Sequence, residues 1–249
     1  MIEFITHIKQ QIKSGQGPKS KRFITLYKKL LLADIPLPLT LYRCLYVLHL
    51  AAANTLQGLM RILYWTPLFK TRLQNHPKQL YLYCGMPLIL GALEITIGNN
   101  CRINGVTTFC GRASRTHRAQ LQIGDNVDIS WQSTIAVGTE IVIENNVRMA
   151  ANVFLAGYPG HPLDPTARAQ GLSDTVDQIG KIHLQQDVWL GSNVTVLAGV
   201  TIGRGCVIAT GSVVTKDIRA GVLAAGNPAR VIRQLDTSAS TEQGEQYEN

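Results

Sequence analysis

LQQDVWLGSNVTVLAGVTIGRGCVIATGSVV, residues 184–214, carries an aliphatic residue at every sixth position: Leu184, Leu190, Val196, Ile202, Ile208 and Val214. The same beat runs upstream through Ile97, Ile103 and Phe109, through Ile123, Ile129 and Ile135, and through Ile143, Met149 and Leu155. Four places after an aliphatic comes a small or β-branched residue, as at Val127, Ser133, Val153, Val194, Val200, Cys206 and Ser212. Glycine often follows the aliphatic directly (Gly98, Gly124, Gly191, Gly203), and Asn or Asp crowds the turns in GNN, GDN, ENN and GSN. Neither the helical period of 3.6 nor the strand period of 2 gives a spacing of six. A coil of three short strands, turned by residues that tolerate permissive backbone conformations, does. Each coil then buries one aliphatic per face and pairs its backbone only with the coils above and below.

The beat positions group in threes, which predicts five coils of about eighteen residues. Extra residues fall between 109 and 123, between 135 and 143, and between 155 and 184, always between triplets. All three insertions should therefore leave the solenoid at one corner. The longest carries YPGHPLDP, residues 158–165, and within it His161.

VWLGSNVTVLAGVTIGRGCVIATGSVVTKDIRAGVLAAGNPARVIR, residues 188–233, resembles the C-terminal signature of the hexapeptide-repeat acyltransferases. GHPLDP looks like the loop of the galactoside, maltose and nodulation-type sugar O-acetyltransferases in that group. The resemblance covers about residues 95–235. It implies a mainly β fold, a left-handed parallel β-helix, assembled as a homotrimer with active sites between subunits. It also implies transfer of acetyl from acetyl-CoA, without a metal, to a sugar or glycan hydroxyl, as in the assembly of cell-surface polysaccharide or glycolipid.

An alcohol needs a base in hydrogen-bonding reach to attack a thioester near neutral pH, and histidine suits that task. The resemblance assigns the base to His161. It assigns stabilisation of the oxyanion to the backbone amide of Ser192, from the neighbouring subunit. Trp189 resembles a pocket-wall aromatic. Ala209 and Gly211, in IATGSVVTKD, are small enough for a pantetheine arm to lie close to the backbone. With Thr215 they complete the donor side, and Lys216 and Arg230 resemble the residues that meet the nucleotide phosphates. The run after Asp217 should fold back as a strand and a short helix.

The acceptor side departs from the resemblance. Where sugar acetyltransferases carry an Asn one coil before the histidine, this chain has Ser130, Gln132 and Ser133. Ser130, Gln132 and Tyr158 are the expected acceptor contacts. The loop is one residue longer, and the short N-terminal acceptor-binding helices give way to a longer region. An arginine-rich insertion, GRASRTHRAQ at 111–120, could meet an anionic acceptor or the CoA phosphates, and is expected rather to be solvated. Acetylation of an aminosugar nitrogen would use the same base. A zinc enzyme of the γ-carbonic anhydrase type needs converging histidines; His117, His161 and His183 lack its close His-x4-His spacing. The other alternative is a non-catalytic scaffold.

Charge divides the chain of 249 residues unevenly. Residues 1–80 hold 12 Lys/Arg against 2 Asp/Glu, whereas residues 81–249 hold 12 against 14. The net charge of +8 therefore belongs to the N-terminal third, and the repeats carry no basic stripe for a nucleic-acid backbone. Five cysteines without a CxxC spacing argue against a disulfide framework or a zinc site. With no signal-peptide pattern at MIEFITHIKQ, the expectation is a cytoplasmic protein with reduced thiols.

The expected organisation is a basic α-helical region over 1–85, the β-helix over 86–217 with a long loop at 156–183, a closing segment at 218–235 and a disordered tail at 236–249. In the first region Ile5, Ile8 and Ile12 share one helical face, GPKSKR (17–22) interrupts, and DIPLP breaks the chain again. CLYVLHLAAANTLQGLM (44–60) is uncharged but too short to span a bilayer comfortably. Two readings stand: helices that cap the solenoid, or helices that lie peripherally on an anionic membrane.

Overall fold

The computed structural model describes residues 18–34, 38–113 and 118–235. The expected helical face at Ile5, Ile8 and Ile12, residues 114–117 with His117, and the 236–249 tail lie outside those residues. The chain divides into two compact units, Met1–Ala53 and Asn54–Asn249.

Among the described residues, helices α1 (Pro18–Leu31) and α2 (Leu39–Met60) come first. PKSKR does not interrupt the first helix but begins it, because a proline at a helix start gives up only an amide that has no partner there anyway. A π-helical turn, Arg61–Trp65, leads into α3 (Thr66–Lys70).

Residues 81–234 wind into a left-handed parallel β-helix with three faces. The first face stacks β1 (Tyr81–Tyr83), β4 (Arg102–Asn104), β7 (Asp128–Ile129), β10 (Arg148–Met149), β13 (Trp189–Leu190), β16 (Val207–Ile208) and β18 (Val222–Ala225), with β19 (Arg230–Gln234) at its edge. The second stacks β2 (Leu88–Leu90), β5 (Thr108–Gly111), β8 (Thr134–Val137), β11 (Phe154–Ala156), β14 (Thr195–Leu197) and β17 (Val213–Val214). The third stacks β3 (Leu93–Ile97), β6 (Ala119–Ile123), β9 (Glu140–Ile143), β12 (Ile182–Leu184) and β15 (Thr201–Ile202).

Every beat position points inward: from Ile97 to Val214 none of these side chains is more than 4% exposed. Each such burial contributes about 1.5–3 kcal/mol, so the aliphatic column is the main stabilising element. The corners are turned by residues in the left-handed backbone region, including Asn100, Asn126, Asn146, Asn152 and Asn193 with φ between 55° and 63°. Asparagine tolerates that region better than other side chains, which accounts for the GNN, GDN and GSN turns.

The stack begins one coil earlier than the beat, at β1 and β2. Leu82 and Ile89 pair with Ile103 and Phe109 but stand seven residues apart, so the six-residue spacing misses them. Phe69 of α3 is buried with its ring centroid 6.3 Å from that of Phe109, and helps close the N-terminal end of the core. At the other end β18 and β19 pair antiparallel. Among the described residues no short helix follows: Gly226, at φ 103°, and Pro228 reverse the chain, and the returning segment takes up the strand edge instead.

All three insertions leave between the second and third faces, β5 to β6, β8 to β9 and β11 to β12. Each lengthens the same corner. The longest contains α4 (Pro165–Ala169) and a 3-10 turn at Val176–Gln178.

Candidate active site

The long loop is held at its stem by close backbone approach. A Cβ on Gly157 would stand 2.7 Å from the Ala136 carbonyl oxygen and 2.9 Å from the Gly138 amide nitrogen, so glycine alone fits. One residue on, the Tyr158 hydroxyl lies 3.0 Å from Cys110 Sγ at the end of β5. Burial, together with the Cys110 contact, pushes the Tyr158 hydroxyl well above its ordinary range, so it stays neutral. Tyr158, expected beside the acceptor, thus has its hydroxyl engaged by the solenoid wall.

Arg112 supplies a second anchor. Its Nε donates to Asp174 Oδ1 at 2.5 Å, and its Nη2 donates to the Asp174 carbonyl at 2.9 Å. The Asp174 side chain is 3% exposed, and its other oxygen accepts from the Gly160 amide at 3.2 Å. Asp164 caps α4 by accepting from the Ala167 amide at 2.7 Å, and Arg168 donates to the carbonyls of Pro162 and Leu163. His161 therefore sits between two tethered neighbours, the Gly160 amide and the Pro162 carbonyl. Its side chain is exposed, and no hydrogen bond from the described residues occupies the imidazole.

The donor-side residues gather elsewhere. Trp189 projects from the first face, 53% exposed. Ser192 turns the next corner, followed by Asn193 at φ 58°. Its carbonyl accepts from the Gly211 amide at 2.9 Å, while its own amide donates to no acceptor among the described residues. Ala209 is half-buried beneath Gly191 on the first face, and a Cβ on Gly211 would meet nothing within 4 Å. Thr215 and Lys216 are exposed just past β17, and Arg230 is exposed at the start of β19. All these lie on the first face, at its corner with the second, or toward the C-terminal end. His161 belongs to the corner between the second and third faces, so one chain does not bring base and donor side together.

On the first face Tyr83, Arg102, Asp128, Ser130, Arg148 and Trp189 line one groove, which brings Ser130 into the company of Trp189. Arg102 lies 3.6 Å from Asp128, and the Arg148 guanidinium donates to the Asn126 carbonyl and side-chain oxygen. Gln132 is exposed at the following corner with φ 56°. Arg112, expected to be solvated with the rest of its insertion, is instead largely buried by its pairing with Asp174, 62 residues away and in no shared motif, and sequence reasoning passed over Asp174 and Tyr83. His183 places Nε2 2.6 Å from Glu144 Oε1 on the third face. Among the described residues no group of three or more His, Cys, Asp or Glu is arranged to hold a metal ion.

Residues 181–216 match the family described as bacterial transferase hexapeptide (six repeats). The chain is 36% identical over 141 residues to the galactoside O-acetyltransferase of Escherichia coli K12, a match covering 57% of this chain and 64% of that one. It is 33% identical over 144 residues to the galactoside O-acetyltransferase of Lactococcus lactis, covering 57% and 64% respectively. The chain thus spans less than two thirds of the curated relatives it matches. Among solved structures, the fold is similar to a single-substitution (Ser-to-Thr) mutant of AntD, an N-acyltransferase from Bacillus cereus in complex with dTDP and coenzyme A, with a TM-score of 0.55 and 18% identity over 69% of this chain and 88% of that one.

Proposed function

We propose that this chain, which carries the bacterial transferase hexapeptide repeat, transfers acetyl from acetyl-CoA to a sugar hydroxyl. The observation that carries the reading is the His161 imidazole, exposed on a loop whose backbone is anchored on both sides of it. The two galactoside O-acetyltransferases supply the reaction class. His161 takes the hydroxyl proton as the oxygen attacks the thioester carbonyl. The unsatisfied Ser192 amide stabilises the negative charge that builds on the carbonyl oxygen. The electron pair then returns and expels the CoA thiolate, which the protonated histidine can neutralise. Ala209 and Gly211 leave room for the pantetheine arm, Trp189 and Thr215 border it, and Lys216 and Arg230 face the nucleotide phosphates.

His161 and Ser192 occupy different corners, so this chemistry needs a second copy of the chain. The reading therefore includes a homotrimer in which His161 of one subunit meets Trp189 and Ser192 of the next. It also includes peripheral contact with an anionic membrane through residues 1–80, where a membrane-linked glycan would be at hand. No helix among the described residues is long and apolar enough to cross a membrane.

The test is acetyl transfer by His161→Ala, followed by mass spectrometry of a sugar panel incubated with acetyl-CoA. Loss of a positioned base should cost about 10²–10⁴ in kcat, with CoA binding and subunit assembly retained. Full activity in that variant would remove His161 from the mechanism. Acetylation confined to amino groups would remove the hydroxyl acceptor.

A further inference from the structure

The first face carries two unlike halves. Toward the C-terminal end one outward column is small, with Ala150, Gly191, Ala209 and Ala225 in line, beside a larger apolar column of Trp189, Val207 and Leu223. Toward the N-terminal end the same face presents Tyr81, Tyr83, Arg102, Asp128, Ser130 and Arg148. The narrow half suits a thioester arm. The other half is broad, polar and aromatic, and the proposed reaction leaves it without a role beyond Ser130.

That polar half continues past the first coil. A cavity of about 250 Å³ opens where α2 and the π-helical turn meet β1, lined among others by Asn54, Gln57, Arg61, Trp65 and Tyr81. Tyr83 lines both this cavity and the groove that ends at Trp189, so the two adjoin at that side chain. The Arg61 guanidinium stands 4.4 Å over the Tyr81 ring, and the rings of Tyr81 and Tyr83 stack with centroids 6.0 Å apart and an interplanar angle of 26°. The cavity is smaller than the roughly 300–1,000 Å³ of drug-sized sites, which suits one ring rather than a large ligand. Its lining joins aromatic surfaces for the C–H face of a sugar to amide and guanidinium groups for its hydroxyls.

Length identifies the ligand class. From Trp189 to Tyr81 the register runs through Arg148, Asp128 and Arg102, four ladder steps. At 4.7–4.9 Å per strand that is about 19 Å, several times the breadth of one pyranose ring. A monosaccharide held beside Trp189 would leave the distal cavity empty.

Resting on the sugar-acetyltransferase reading, we propose that the cavity at Asn54, Gln57, Arg61, Trp65 and Tyr81 is a distal sugar subsite, and that the acceptor is an oligosaccharide lying along the first face. The sugar to be acetylated sits near Ser130 and Trp189, and a sugar several units away is gripped at the cavity. Chain length then becomes a specificity determinant, read about four coils from the chemistry. Arg61, Arg102 and Arg148 outnumber the single Asp128 carboxylate along the track, so it favours glycans that carry acidic groups over cationic ones.

The test combines binding and turnover on the full chain. Asn54 and Gln57 are exposed on α2, where alanine preserves the helix, so N54A/Q57A should fold. On a printed glycan array, wild type should retain glycans of three or more sugars, and N54A/Q57A should lose them. With acetyl-CoA, the ratio of kcat/KM for a tetrasaccharide to that for its monosaccharide should fall about tenfold in N54A/Q57A. The subsite is overturned if wild type binds no glycan, if mono- and tetrasaccharides are bound and acetylated equally well, or if N54A/Q57A keeps the wild-type preference. Retained length-dependent glycan binding without acetyl transfer by wild type would overturn the catalytic reading and leave the subsite standing.

Discussion

Arg112 and Asp174, 62 residues apart, meet through a bond of 2.5 Å that ties the loop carrying His161 to the wall of the solenoid. Arg112 follows β5, two coils before the loop, so a rigid strand end dictates where the loop may lie. The carboxylate passes the constraint on by accepting the Gly160 amide. Both partners are largely buried, and a charge left without its counter-ion in such a place is costly.

Asp174→Ala should therefore release the loop rather than unfold the solenoid. Stranding a buried charge costs about 3–5 kcal/mol, but here the loop can escape much of it by opening. Trypsin cleavage after Arg168 should accelerate at least tenfold, kcat for acetyl transfer should drop, and the main thermal transition should barely move. Cleavage and turnover equal to wild type would show that the pair does not position His161.

The corner asparagines allow a sharper test of the fold. Asn193 stands at φ 58°, where a β-branched residue is strained. Asn193→Val should cost about 1–2 kcal/mol, while Asn193→Gly should be close to neutral. Denaturant midpoints of the two variants decide the matter, and equal midpoints would mean that the corner is not held in this conformation.

Stability should decline in alkali. Burial raises the ionisation of the Tyr158 and Tyr83 hydroxyls above 10.0 and that of the Cys101 and Cys206 thiols above 9.0. The folded chain holds these protons where the unfolded chain releases them. Their contribution is thus complete below the unfolded values and lost as pH rises from about 9 through the raised folded ones. Thermal melting between pH 8 and 11 should show a falling Tm, with a shallower fall in Tyr158→Phe; a Tm independent of pH would contradict it.

The N-terminal helices present a different surface. No residue of α2 is buried, and Leu45, Tyr46, Val47 and Leu48 are between 48% and 66% exposed. Lys28 and Lys29 close α1, and Arg43 lies in the first turns of α2. If this region rests on anionic lipid, each cation contributes about 1 kcal/mol. The full chain should then float with phosphatidylserine-containing vesicles at low salt, and Lys28→Glu/Lys29→Glu/Arg43→Glu should abolish flotation. Equal flotation of both proteins would reject an electrostatic membrane contact.

The sequence by itself determined the repeat. A spacing of six with Gly, Asn and Asp at the turns states which side chains face inward, where the coils corner and which corner carries the insertions, because each is a local matter of backbone conformation and burial. It also singled out His161 and the donor-side run, since those residues sit in contiguous motifs. Tertiary structure alone decided the rest. The earlier coil at Leu82 and Ile89 breaks the beat, so only pairing with Ile103 and Phe109 reveals it. The Arg112–Asp174 anchor, the engagement of Tyr158 by Cys110, and the groove from Trp189 to Tyr83 join residues distant in the chain. A solenoid brings such residues together by stacking one coil on the next, and insertions of unequal length between coils erase that register from the linear order.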